Sequence, residues 1–131
     1  MVGERKHHTF PSWLSFTLNN PLRRRFDPPQ KIIEALGVTE STVVLDFGCG
    51  PGFFTIPFAK VAKKVVAVDM QPGMLKKAAR YAERSGVTVQ CLQSDGGDMP
   101  LPDSVFDLIF LSHVYHEVDD KQSFLKEMRR L

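Results

Sequence analysis

The chain has 131 residues, 43% of them hydrophobic and 24% charged, with a formal net charge of +2. That is enough for one domain with a packed core, and the composition is ordinary for a globular protein. No apolar run approaches the ~20 residues of a membrane span, no signal-peptide apolar region opens the chain, and so small a net charge makes nucleic acid an unexpected partner.

Residues 1–26 read as an irregular segment, with Phe10, Trp13, Phe16 and Leu18 as scattered apolar groups. The Arg23-Arg24-Arg25 run reads as a solvated turn ahead of a helix. Asp27-Pro28-Pro29 signals that helix: an N-cap acid, then proline where no amide bond is needed. Ile32, Ile33 and Leu36 give it an apolar face, and Gly37 ends it. A first strand is predicted over 43–47 and a helix over 53–62, with Pro57 tolerable near its first turn. A second strand follows over 65–69. Pro72 opens a helix to Ser85, with Met74, Leu75, Ala78, Ala79 and Ala82 inward and Gly86 as its stop. Strands over 87–92 and 106–111 come next. Asp119 and Asp120 suit the start of a last helix, on which Phe124, Met128 and Leu131 recur at helical spacing. Strands that alternate with helices predict an α/β fold, a doubly wound parallel sheet covered on both faces. No repeat and no second domain are visible. The two cysteines, Cys49 in a glycine loop and Cys91 in an apolar strand, do not form a disulfide framework. They point to a reducing cytoplasm.

The most informative stretch is Val43-Val44-Leu45-Asp46-Phe47-Gly48-Cys49-Gly50-Pro51-Gly52. A β-branched run ends in a carboxylate and then turns through three glycines at alternate positions. Such a turn leaves room for a ligand against bare backbone. The dinucleotide fingerprint requires a glycine at the sixth loop position, and Phe53 stands there. Asp46, two residues before the first glycine, would repel a pyrophosphate and suit a ligand with an ammonium group. A nicotinamide-dependent oxidoreductase is disfavoured on both counts.

Val44 to Gly52 resembles the first motif of the class I S-adenosylmethionine-dependent methyltransferases, of the small-molecule, UbiE-like group. The resemblance runs from about Asp27 to Leu131. It implies a Rossmann-like fold with S-adenosylmethionine as cofactor, and an acceptor that is a small molecule. Further features then fall at the ends of successive strands. Asp69 closes the second strand, where an acid in the family accepts the ribose hydroxyls. Asp95-Gly96 follows the third, where the family's acid accepts the adenine amine and the next amide donates to the ring. Residues 98–109 are similar to the family's run into its fourth strand. The implied cofactor-binding set is Asp46, Gly48, Cys49, Gly50, Asp69, Met70, Asp95, Gly96 and Ser112. No catalytic residue is assigned. Ser112, His113, Tyr115, His116 and Glu117 follow the fourth strand and are candidates, with His116 able to act as a base. An Asn-Pro-Pro-Tyr-type motif and an HExxH zinc motif are both absent, so no metal is expected.

The family's sheet has seven strands, and four are found here. The expectation is therefore a truncated sheet over 27–131, preceded by an N-terminal segment or lid over 1–26. Its fourth strand has an open edge that invites a homodimer. Two functions stay open: a methyltransferase, and a cofactor-binding fragment without turnover.

Overall fold

The computed structural model describes residues 29–112 and 118–131. Four helices and four strands follow in the order α1 (Pro29–Ala35), β1 (Val43–Phe47), α2 (Thr55–Val61), β2 (Lys64–Asp69), α3 (Pro72–Ser85), β3 (Gln90–Gln93), β4 (Leu108–Leu111) and α4 (Lys121–Arg130). The strands form one sheet in the order β3-β2-β1-β4, and every neighbouring pair is parallel. Val44 stands beside Val65 and Leu108, and Val68 stands beside Leu92. The carboxyl ends of all four strands therefore lie along one edge of the sheet.

Side chains alternate across the strands and build a core on each face. Leu45, Phe47, Val66 and Val68 point to one face and pack with Phe124, Met128 and Leu131 of α4 and its end. Val44 and Val65 point to the other, where Ile33 of α1, Phe54 just before α2 and Phe58 of α2 cover them. Ala67 shares that face with Leu75 and Ala78 of α3. This is the doubly wound arrangement expected from the alternation of elements. Asp46 lies on the α2 side of β1, because it keeps the same parity as Val44.

The differences from the sequence reading are local. The third strand begins at Gln90 rather than Val87. The Val87 amide closes the end of α3 by donating to the Ala82 carbonyl, so residues 87–89 cross from helix to sheet. The fourth strand begins at Leu108 rather than Phe106, because the Phe106 amide donates to the Leu131 carbonyl. Ala79 is exposed: α3 buries a stripe through Met74, Leu75, Ala78 and Ala82, and Ala79 lies one helical step beyond it. Leu36, expected on the apolar face of α1, is 43% exposed past the end of that helix. Cys91 is exposed on the edge strand β3 rather than sunk in an apolar one. Asp120 does cap α4, accepting the Ser123 amide at 3.0 Å. The Asp27-Pro28 cap and the segment over 1–26, with Phe10, Trp13 and Phe16, lie outside the described residues.

Gly96 is where α4 meets the turn after β3. Its φ is +97°, and a Cβ there would stand 2.7 Å from Phe124 Cδ2 and 3.0 Å from Phe47 Cζ. Both the backbone conformation and the contact exclude a side chain. Gly96→Ala should therefore destabilise the domain by about 2–3 kcal/mol. A thermal melt unchanged from wild type would show that Phe124 is free to move aside.

Candidate functional site

The loop between β1 and α2 is tied to the end of β2. The Gly48 and Cys49 amides both donate to the Val68 carbonyl, at 2.7 and 3.0 Å. The next amide, that of Gly50, donates to Asp69 Oδ2 at 3.0 Å. Gly48 and Gly50 have φ of +74° and +54°, values that a β-carbon penalises. The chain thus reverses within a few residues and enters α2 while facing the sheet edge with bare backbone.

Asp69, half-buried at the end of β2, accepts a second amide: Gln71 donates to its Oδ1 at 2.9 Å. An ionised carboxylate has about four acceptor positions, so two amides leave it capacity for a diol. Met70 follows it, 49% exposed, and its carbonyl accepts from Gln93 Nε2 at 3.2 Å. The Ser94 amide donates to the Asp69 carbonyl, which brings the turn after β3 beside the end of β2. In that turn Asp95 is exposed and its Oδ1 accepts the Gly97 amide at 2.9 Å. The Gly96 amide, expected to face a ligand ring, donates to Ser94 Oγ at 3.0 Å. Ser112 sits half-buried just past β4, beside the end of β1. Of the candidate acid–base groups, His113, Tyr115, His116 and Glu117 lie outside the described residues.

Asp46 is buried, with 2% of its surface exposed, and its Oδ2 accepts from Thr55 Oγ1 at 2.6 Å. Burial pushes its carboxyl up to about 7; the Thr55 hydrogen bond opposes the rise, and the negative charge of Asp69 adds to it. Cys49 is also buried, and its Sγ donates to the Gly50 carbonyl at 3.4 Å. Burial, and then the charges of Asp46 and Asp69, push its thiol up, which leaves it a poor nucleophile. Among the described residues no group of three His, Cys, Asp or Glu is placed to hold a metal ion.

Sequence reasoning missed Thr55, Ser94 and Gln71. Thr55 is fully buried and holds the acid of the loop, and its signal was a hydroxyl at the start of the helix that follows the glycines. Ser94 binds the turn through its side chain, a habit of serine in turns. Gln71 holds Asp69 through its backbone amide, which no pattern of side chains reveals.

The methyltransferase domain model matches residues 45–131. The chain belongs to that family. The Escherichia coli protein named ubiquinone/menaquinone biosynthesis C-methyltransferase UbiE is 33% identical over 104 residues, which is 76% of this chain and 41% of that protein. The Shigella boydii counterpart gives the same figures. The chain thus spans about two fifths of the length of these curated relatives. A solved S-adenosylmethionine-dependent methyltransferase from Aquifex aeolicus is 31% identical, with a TM-score of 0.85 over 93% of this chain and 67% of that one. The YcgJ protein of Bacillus subtilis superposes at 0.72, with 26% identity, over 78% of this chain and 44% of its own. S-adenosylmethionine is the cofactor of the class. The nicotinamide alternative is set aside.

Asp46 makes stability depend on pH. A carboxyl whose value rises from 3.8 to about 7 on folding holds its proton more tightly in the folded state. Its contribution is complete below pH 4 and is lost as pH rises through 7, a change of ~4 kcal/mol. Asp46→Asn should flatten that decline and raise the melting temperature at pH 8. Parallel stability–pH curves for variant and wild type would show that Asp46 titrates normally.

Proposed function

We propose that the protein transfers a methyl group from S-adenosylmethionine to a small-molecule acceptor at the carboxyl edge of its sheet. The observation that carries this reading is the convergence of the glycine loop, Asp69, the Asp95 turn and Ser112 on that edge. Ligands of parallel α/β sheets bind outside the carboxyl ends of the strands. Bound S-adenosylmethionine supplies an activated methyl group on a sulfonium, which is itself the leaving group.

The residues of this chain bind and orient. Asp46 is the buried negative charge for the α-ammonium, and Thr55 holds that carboxylate in place. Gly48, Cys49 and Gly50 form the backbone surface for the methionine and ribose. Asp69 accepts the ribose hydroxyls with its remaining lone pairs, and Met70 packs its exposed side chain beside the nucleoside. Asp95 accepts the adenine amine. Gly96 shapes that turn, and its amide reaches the ring by exchanging its Ser94 partner. Ser112 borders the methyl end of the site. Alignment and exclusion of water lower an in-line displacement by several kcal/mol, on the order expected for positioning alone. A base is required only when the acceptor must lose a proton, and His116 is the candidate. UbiE's name, a C-methyltransferase of ubiquinone/menaquinone biosynthesis, makes a carbon of an intermediate in that biosynthesis the first acceptor to test. The two free cysteines suit a reducing cytoplasmic setting. No helix among the described residues is long and apolar enough to cross a membrane.

Asp69→Ala should weaken S-adenosylmethionine binding by ~1–3 kcal/mol, the scale of charge-assisted hydrogen bonds, as read by titration calorimetry. An unchanged dissociation constant in a folded variant would sink the ribose assignment. A turnover assay separates the methyltransferase from a module that binds without reacting: transfer of a labelled methyl group supports the first, and binding with no transfer to any acceptor supports the second.

The same reading includes a homodimer. Among the described residues β4 pairs on one side only, with β1. Its half-exposed apolar residues, Leu108 to Leu111, suit pairing with a second copy. Light scattering should give twice the chain mass. A stable monomer would contradict the association.

A further inference from the structure

The stretch after the Asp95 turn satisfies its own backbone only in part. Pro100 and Pro102 remove two amides from residues 99–106; the Leu101 amide donates to the Met99 carbonyl at 2.7 Å, and further donors come from outside. Arg130, in the last turn of α4, supplies them. Its NH1 donates to the Leu101 carbonyl and to Asp103 Oδ1, both at 2.7 Å, and its NH2 donates to the Met99 carbonyl at 3.0 Å. Glu127, buried one turn earlier on α4, aims the guanidinium: its Oε1 accepts from Nε at 2.8 Å and also from NH2. The backbone completes the attachment. Ser104, at a positive φ of 54°, donates to the Arg130 carbonyl at 2.8 Å, and Val105 donates to the Leu131 carbonyl at 2.9 Å.

The attachment continues upstream. Met99 is buried in the core that holds Phe124 and Met128, and Phe124 presses on Gly96. The turn that presents Asp95 is thus held at both ends, by the Ser94 amide on β2 and by α4 through Gly96 and Met99.

We propose that Arg130 is a positioning residue for cofactor recognition: by clamping the Met99 and Leu101 carbonyls it sets where Asp95 stands, and so how well the site distinguishes adenine from a base without the exocyclic amine. This rests on the proposed assignment of Asp95 to that amine. Arg130 touches no ligand itself. A guanidinium is suited to the task because its planar fork reaches several oxygens at fixed angles, which a lysine ammonium does not.

The test compares S-adenosylhomocysteine with S-inosylhomocysteine, which has a carbonyl oxygen in place of the amine, by titration calorimetry below the melting temperature. Wild type should prefer the adenosyl compound by about tenfold or more, the scale of discrimination at a paired polar group. Arg130→Met should narrow that preference to within about threefold, through weaker binding of the adenosyl compound alone. Asp103→Asn, which removes only the charge of the exposed partner, should keep the wild-type preference. A fall in affinity for both compounds by the same factor, or no change in either, would assign Arg130 to stability alone and overturn the proposal. If Arg130→Met does not fold, Glu127→Gln decides: it loosens the aim of the guanidinium and should narrow the preference part-way, and an unchanged ratio overturns the proposal. Wild type that binds neither compound overturns the cofactor reading along with this one. Wild type that binds both equally removes Asp95 from the amine and this inference with it.

Discussion

Everything at the site depends on how the loop after β1 is fastened to the end of β2. Three consecutive amides, those of Gly48, Cys49 and Gly50, end on two consecutive residues, Val68 and Asp69. Two of them share one carbonyl, and the third takes a carboxylate. A loop with three positive φ values, at Gly48, Gly50 and Gly52, has little preference of its own for this shape, so these bonds define it. They also hold Asp69 in a fixed orientation, because the Gln71 amide takes its other oxygen. Backbone and acid are thus set in place before any ligand arrives, which is the cheapest form of recognition.

That preorganisation has a cost elsewhere. Asp46 is a carboxylate inside the fold, opposite α2, with Thr55 as its hydrogen-bond donor among the described residues and with Asp69 as a like charge. Folding alone gains nothing from ionising it. Under the proposed assignment, a cation brought to the loop would remove the penalty, and the same burial that weakens the free protein would strengthen its grip on a charged ligand. A functional site that opposes stability in this way is a common compromise. On the other face the buried carboxylate of Glu127 is paired with Arg130. There Phe47 and Phe124 meet edge to face, with centroids 5.0 Å apart, and α4 carries both the core and the attachment of the loop after β3.

Much of this was legible in the sequence. The alternation of elements, the glycine loop and the acids at strand ends all lie where the reading put them, because each is a local signal: a β-branched run, a turn residue, a cap. Boundaries were less legible. Val87 to Val89 look like strand and are not, since the Val87 amide is claimed by the helix behind it. Phe106 was assigned to β4 on its apolarity, and Leu131, 25 residues away in sequence, claims its amide instead. Thr55 under Asp46 and the Arg130 clamp on Met99 and Leu101 were invisible for a similar reason. Each joins residues whose spacing follows no helix or strand period and is set only when the sheet closes. The residues after β4 that bear on catalysis, His113 to Glu117, lie outside the described structure.

If the carboxyl edge of the sheet, and not its amino edge, receives S-adenosylmethionine, the backbone at that edge responds to the ligand. Amide NMR during titration with S-adenosylhomocysteine tests it most directly, since the two edges carry separate reporters. Shifts are expected at Gly48, Gly50, Met70 and Gly97, with Val43, Lys64 and Gln90 at the opposite edge unmoved. Shifts confined to Val43, Lys64 and Gln90, or no shift at saturating concentration, would contradict it.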